Sequence, residues 1–307
     1  MFLNLIQLLG ALELGLIYSL VALGVYLSFR TLNFPDLSVD GSFPLGAAVA
    51  GAGILWGLSP FVATLLAVLA GAFAGYITAL LATRLKMLNL LAGILTMTAL
   101  YSINLRIMGR PNLALLGENT LSTQLSTFVT KVLGLPAILT DHANLMGLAL
   151  ITLLVVIGLE WLLKTRFGLA LRSIGSNPRM ARSIGINDDA MVQSGLALSN
   201  ALVALAGALF AQYSGFADVS MGVGTLISGL AAVIIGEALF HTRSVAKALI
   251  ACVLGAFIYR LAIAVALNST DLGLQASDLN LVTAFIFAIA MIVPKFKIFF
   301  KRGRDKK

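Results

Sequence analysis

FVATLLAVLAGAFAGYITALLA, residues 61–82, runs 22 residues without a charged side chain. A helix needs about 20 apolar residues to cross the hydrocarbon core of a bilayer. Helices and closed barrels are the structures that span lipid without leaving backbone groups unbonded. Apolar residues are continuous here and do not alternate as barrel strands require, so the run selects a helix. Similar runs fill the chain, which is 59% hydrophobic and only 11% charged, where a soluble domain carries about 25% charged residues. With a mean hydropathy of +0.99, such a chain cannot cover its surface in water. The expected fold is all-α, a polytopic transmembrane helical bundle in the cell inner membrane, with residues 1–307 as one domain.

Nine spans are expected, at roughly 4–28, 41–57, 61–82, 88–107, 143–163, 191–213, 222–240, 246–267 and 279–294. The second is short and rich in Gly and Ala, and reads as either a full span or a re-entrant element. The first lacks a basic leading region and a small-residue cleavage site, so it reads as a retained helix and not a signal peptide. Cytoplasmic loops collect Lys and Arg. Placing the tail 295–307 inside also places inside Arg30, Arg84, Lys86, Lys164, Arg166, Arg172, Arg179, Arg182, Arg243 and Lys247. With the seven basic residues of the tail, that is 17 of the 21. The N-terminus is therefore expected outside and the C-terminus inside. The same bias explains the net charge of +8 without a nucleic-acid partner.

The longest inside segment, 164–190, reads KTRFGLALRSIGSNPRMARSIGINDDA. Asn177 is a good N-cap and Pro178 a good first helical residue. A short helix, PRMARSI, follows and stops at Gly185. Arg179 and Arg182 share one face, and Met180 and Ile184 another. A basic solvated connector would satisfy the charge rule. A helix bracketed by Gly175 and Gly185 and followed closely by Asp188 and Asp189 reads instead as a shaped docking element.

RFGLALRSIGSNPRMARSIGIN resembles the cytoplasmic loop of the branched-chain amino acid, ribose and nucleoside permease family of bacterial ATP-binding-cassette importers. The matching positions are Gly168, Arg172, Gly175, Asn177, Ala181, Gly185 and Ile186. GLIYSLVALGVYLSFRTLNF resembles the family's first helix, LLAGILTMTALYSINLRIMG its central helix, and GTLISGLAAVIIG the Gly-rich helix after the loop. The segment 33–46, NFPDLSVDGSFPLG, departs from the commoner version and looks most like the aromatic amino acid (tryptophan or tyrosine) branch. The resemblance implies two permease subunits, expected as a homodimer, two cytoplasmic ATP-binding subunits and an extracytoplasmic substrate-binding protein. It implies that Asn177, Pro178, Arg179, Met180, Ala181, Arg182, Ile184 and Gly185 couple to the ATPase. No cofactor is expected on this chain; ATP and Mg belong to the partner. The sequence lacks GxxxxGK[ST], so the chain is not expected to be an enzyme.

Other residues carry weaker signals. Asp36 and Asp40, four apart between Pro35 and Gly46, suit helix capping or packing, a gate, or an oxygen-lined ion site. In the fourth span Thr96, Thr98, Tyr101 and Ser102 are expected to bond neighbouring helices or to line a path, with Thr98, Tyr101 and Ser102 on one face. Arg260 either reaches the outer surface by its long side chain or serves a function within the span. Asp218 either caps the next helix or meets a binding protein. His142 and His241 are isolated, so no metal site is expected. Cys252 reads as a packed small residue. An ion-coupled secondary transporter would need mid-span carboxylates, and Glu13 and Glu237 are the few candidates. A membrane enzyme would need converging catalytic groups, which are absent from the sequence pattern. The topology has a direct check. Cysteines placed at Asn119 and Arg302 are expected to label from opposite faces, Asn119 from outside; labelling of both from one face would end the nine-span arrangement.

Overall fold

The computed structural model describes residues 5–121, 123–124, 143–240, 244–268, 281–285 and 287–288. The ninth expected span, the basic tail, His142 and His241 lie wholly or mostly outside them. Helix α1, Leu5–Val25, continues into a π-helical turn, Tyr26–Thr31. The Ser28 hydroxyl bonds back to the Val25 carbonyl at 3.2 Å, competing with the regular ladder where it widens. Helix α2 spans Val39–Leu55, α3 Pro60–Thr83, α4 Asn89–Met108 and α5 Ala143–Lys164. Two short helices follow, α6 at Arg166–Ser176 and α7 at Pro178–Ser183. Then come α8, Asp188–Ser214; α9, Thr225–Leu239; and α10, Val245–Asn268. Seven stretches among the described residues are long and apolar enough to cross a membrane, and α2 is a shorter apolar helix.

The bundle is built around α8 and α2. In the apolar stretch of α8 72% of residues are buried, against 22% for α5, so α8 is a core helix and α5 a peripheral one. Outward faces are hydrophobic: Phe61, Leu65, Leu69 and Phe73 on α3, and Leu150, Leu153, Leu154 and Trp161 on α5 are all exposed. This is the pattern lipid demands, since it offers no reward for burying Leu over leaving it outside. Inside, small residues let backbones touch. A Cβ on Gly207 of α8 would lie 1.9 Å from the Phe43 carbonyl oxygen of α2, and one on Gly46 would lie 2.0 Å from the Ala204 carbonyl oxygen. The α2–α8 crossing therefore tolerates nothing larger than hydrogen at these positions.

Helix α2 is shorter than the seven long apolar stretches. It is one continuous helix of 17 residues, about 25 Å long, despite Pro44 within it. Ahead of it, residues 32–38 form a largely buried non-helical stretch in which Leu32, Phe34, Asp36 and Ser38 are covered. At the opposite end of the bundle from the basic loops, Asn112–Ala114 (β1) pairs antiparallel with Phe216–Asp218 (β2), Asn112 facing Asp218. Asp218 accepts hydrogen bonds from the Ser220 amide at 2.7 Å and from the Asn112 amide at 3.2 Å, and so caps the following 3-10 turn, Val219–Gly222. Burial alone would raise its pKa, but the Ser220 and Asn112 hydrogen bonds outweigh that and hold the carboxyl below its usual range.

Gly207→Val is expected to lower the thermal unfolding temperature of the purified protein, since overpacking at a close contact costs roughly 1–3 kcal/mol. Gly158→Ala on α5, where a Cβ meets nothing within 4 Å, is the control and is expected to leave it unchanged. Equal stability of the two variants would contradict the close crossing.

Candidate functional site

Two helices begin inside the bundle. Asn200 lies about 18 Å along α8 from its first residue, and the start of α2 is bonded to it. The Asp36 carboxylate accepts from the Ser38 amide at 2.8 Å, from the Ser38 hydroxyl at 2.6 Å and from the Asn200 side-chain amide at 2.8 Å. The Ser42 hydroxyl donates to Asn200 Oδ1 at 2.6 Å. Asp36 thus holds Ser38, the residue just before α2, and ties it to α8. Asp40, in the first turn of α2, reaches across to the first turn of α9 and accepts from the Leu226 amide at 2.7 Å. Helix N-termini carry partial positive charge and unbonded N–H groups. Each carboxylate accepts from one backbone N–H at these starts, Asp36 from Ser38 and Asp40 from Leu226.

Beside this junction lies a cleft of about 300 Å³ between α2 and α4, lined by Asp40, Gly41, Pro44, Thr98, Tyr101, Ser102, Asn104 and Val219. Tyr101 is 57% exposed, a wide opening for a residue in the middle of a span. The Asn104 side-chain amide donates to the Gly41 carbonyl at 3.2 Å, and its Oδ1, also buried, has no partner among the described residues. The structure therefore brings Asp40 together with Thr98, Tyr101 and Ser102. It separates the other two residues singled out with them. Thr96 is buried on the opposite face of α4, bonds back to the Ala92 carbonyl at 3.0 Å and borders an apolar groove with Phe73 and Leu100. Asp36 is sealed in its own cluster. Thr98 bonds to the Ile94 carbonyl at 2.9 Å while its outer face borders the cleft.

Asn200, Ser38 and Ser42 were not among the residues the sequence singled out. The available signal was Asn200 itself, a lone amide within the apolar run ALSNALVALAG, since such a residue is expected to bond within the bundle. Other intramembrane charges also have particular settings. Glu237 is paired with Arg30, whose Nε lies 2.9 and 3.0 Å from its two oxygens. Glu13 accepts from the Tyr213 hydroxyl at 2.8 Å. Arg260 does not reach the surface: it is 9% exposed, with its guanidinium 3.3 Å over the Tyr18 ring, so the snorkelling reading gives way to a buried one. Among the described residues no three of His, Cys, Asp and Glu gather as metal ligands.

At the basic end the segment 164–190 is ordered by three caps. Thr165 caps α6, the Asn177 side-chain oxygen accepts from the Met180 amide at 3.1 Å, and that of Asn187 accepts from the Ala190 amide at 3.1 Å. Helix α7 ends one residue earlier than its sequence pattern predicts, with Ile184 at the C-cap and Gly185 at a left-handed φ of 85°. Ala181 is buried, whereas Met180 and Ile184 are 63% and 64% exposed, and Arg179 projects beside them. Arg182 pairs with Asp188 at 3.1 Å, tying α7 to the start of α8. The segment is also seated on the bundle. Leu171 packs with Leu32, Phe34 and Leu196, and a Cβ on Gly175 would lie 1.9 Å from the Thr31 carbonyl oxygen.

Two solved structures share the fold. A metal-chelate type ABC transporter in an inward-facing conformation gives a TM-score of 0.51 at 19% identity, covering 95% of this chain and 86% of that one. PsaBC from Streptococcus pneumoniae in complex with Fab gives 0.50 at 16% identity, covering 92% and 89%. Among curated relatives, the tyrosine transport system permease protein of Clostridioides difficile is 39% identical over 293 residues, 95% of this chain and 92% of the relative. An uncharacterized protein of Rickettsia prowazekii is 35% identical over 289 residues, 92% and 96% respectively. The autoinducer 2 import system permease protein LsrC of Yersinia pestis is 26% identical over 240 residues, 78% and 64%. The profile for the branched-chain amino acid transport system permease component matches residues 7–294. A multi-pass inner-membrane bundle matched over nearly its whole length in this way belongs to the family of branched-chain amino acid transport system permease components.

Proposed function

We propose that this chain is the permease subunit of an ATP-driven importer, in which the junction of α2 and α9 borders the solute path and α7 receives the work of an ATPase. The carrying observation is α7: a capped, seated helix that leaves Met180, Ile184 and Arg179 exposed. An ordinary connector has no need of exposed apolar side chains on a rigid mount. A groove on a cytoplasmic ATP-binding subunit would cover them. Arg179 and Arg182 then meet acidic groups, and Asn177, Pro178, Ala181 and Gly185 hold the helix in shape. A second copy of this chain completes the path, and an extracytoplasmic binding protein delivers the solute. ATP and Mg are used by the partner, and this chain supplies no catalytic group or cofactor.

Movement of α7 has a continuous route inward. It passes through α6 and the Gly175–Thr31 contact to Leu32 and Phe34, and along residues 32–38 to Asp36 and Asn200. From there α2 carries Asp40 and the start of α9. Alternating access through broken helices that begin near the bilayer middle is a recurrent solution in transporters. The relative named for tyrosine transport, together with a cleft offering a carboxylate, hydroxyls and a Tyr ring, favours an aromatic amino acid as solute.

Two experiments test this reading. Arg179→Glu with Arg182→Glu, and separately Ile184→Asp, are expected to insert normally but to weaken association with the ATPase by roughly 10- to 1000-fold, or to abolish solute-stimulated ATP hydrolysis. Normal pull-down and normal uptake in both variants would return 164–190 to the role of a basic connector. For the path, Thr98→Leu and Tyr101→Ala are expected to impair uptake while ATPase association persists. Unchanged uptake in both would remove the α2–α4 cleft from the pathway.

A further inference from the structure

Arg260 sits in α10, about 12 Å short of the end of that helix. It is 9% exposed, its Nε has no hydrogen-bond partner among the described residues, and none of the ion pairs there includes it. Among the described residues the acids on neighbouring elements are engaged elsewhere: Glu13 by Tyr213, Asp40 by the Leu226 amide, Asp218 by Ser220, Glu237 by Arg30. A cation buried within a span is expensive and marks a functional site by default. The Tyr18 ring 3.3 Å beneath the guanidinium offsets part of that cost through its π face, but a ring face takes none of the in-plane hydrogen bonds of the guanidinium donors.

Those donors belong to the wall of a second cavity, of about 220 Å³, which Arg260 shares with Tyr18, Ser220, Thr225, Ser228 and Thr283. The lining is hydroxyl-rich and includes no carboxylate. It reaches the surface beside Val223, which is 68% exposed. The turn Val219–Gly222 separates it from the α2–α4 cleft: Val219 borders the cleft and Ser220 the cavity. An arginine fork opening into a polar cavity matches a planar two-oxygen anion.

We propose that Arg260, with the Ser228 hydroxyl beside it, forms a subsite for the carboxylate of the transported solute. The assignment rests on the importer reading, and it adds where the carboxylate is held. The guanidinium edge donates to the two oxygens, and the Ser228 hydroxyl adds a donor when Tyr259, at 3.3 Å, donates to it; Tyr18 fixes the guanidinium plane from below. A lipid phosphate offers similar chemistry, so the test separates the two sources.

The full chain in nanodiscs of zwitterionic lipid is titrated with sodium acetate, with sodium chloride and methylamine hydrochloride as controls, and thermal unfolding is followed. Acetate is expected to raise the unfolding temperature where the controls do not. Arg260→Gln is expected to raise the half-saturating acetate concentration by roughly tenfold or more, and Arg260→Lys by less, because an ammonium lacks the fork. Should Arg260→Gln fail to fold, Ser228→Ala is expected to weaken the acetate response on its own. An inert wild type, or a response unchanged in the Arg260 and Ser228 variants, would overturn the subsite. Stabilisation by phosphatidylglycerol discs with acetate inert would overturn the solute assignment in favour of lipid. No ATPase takes part, so the subsite can fail while coupling through α7 holds, and the importer reading can fail while the acetate response holds.

Discussion

Backbone N–H groups at the starts of α2 and α9 need hydrogen-bond partners inside the bundle, where lipid supplies none. Each unmet group there would cost several kcal/mol. Asp36 accepts from the Ser38 amide and Asp40 from the Leu226 amide. Much of the remaining arrangement follows from that need. Residues 32–38 have to be buried without being helical, so their side chains pack into α6 and α8. Asn200 has to be an amide, because it donates to Asp36 and accepts from Ser42 at once. Helix α2 can then be short, and the space between it and α4 is left as a polar-edged cleft.

The same requirement explains where charge is tolerated. Arg30 and Glu237 close a pair at the basic end, Arg182 and Asp188 lock the short helix to the next span, and Asp218 bonds its own turn and Asn112. These contacts fix geometry more than they add stability, since exposed ion pairs contribute about 0–1 kcal/mol each. Buried carboxylates are different in kind. Removing a partner from Asp36 leaves a buried polar oxygen unbonded, so the start of α2 is held to α8.

Packing supplies the remaining rigidity. Lipid gives no hydrophobic drive between helices, so the α2–α8 crossing depends on backbone contact at Gly46, Ala204 and Gly207. Close backbones transmit displacement with little loss, because interiors packed at crystal density do not compress. A push on α6 at Gly175 meets the Thr31 carbonyl directly. The segment 164–190 and the junction of α2 with α9 are therefore joined by contact, though far apart in sequence.

Sequence alone determined the class of fold, most helix limits and the capped short helix that starts at Pro178, to within one residue at its end, because length, hydropathy and capping are local properties. It also marked Asp36 and Asp40 and the polar face of α4 as residues needing a reason. Only the tertiary structure decided what those reasons are. Periodicity gives the face of Thr98, Tyr101 and Ser102, but not that Asp40 lies across from it; and it left Thr96 among them although helix rotation buries it. The pairing of Asp36 with Asn200 spans 164 positions, and that of Arg30 with Glu237 spans 207. No local pattern encodes such partners. Arg260 makes the same point: its span was legible, but whether its side chain reached the surface or turned inward over Tyr18 depended on how α1 packs against α10.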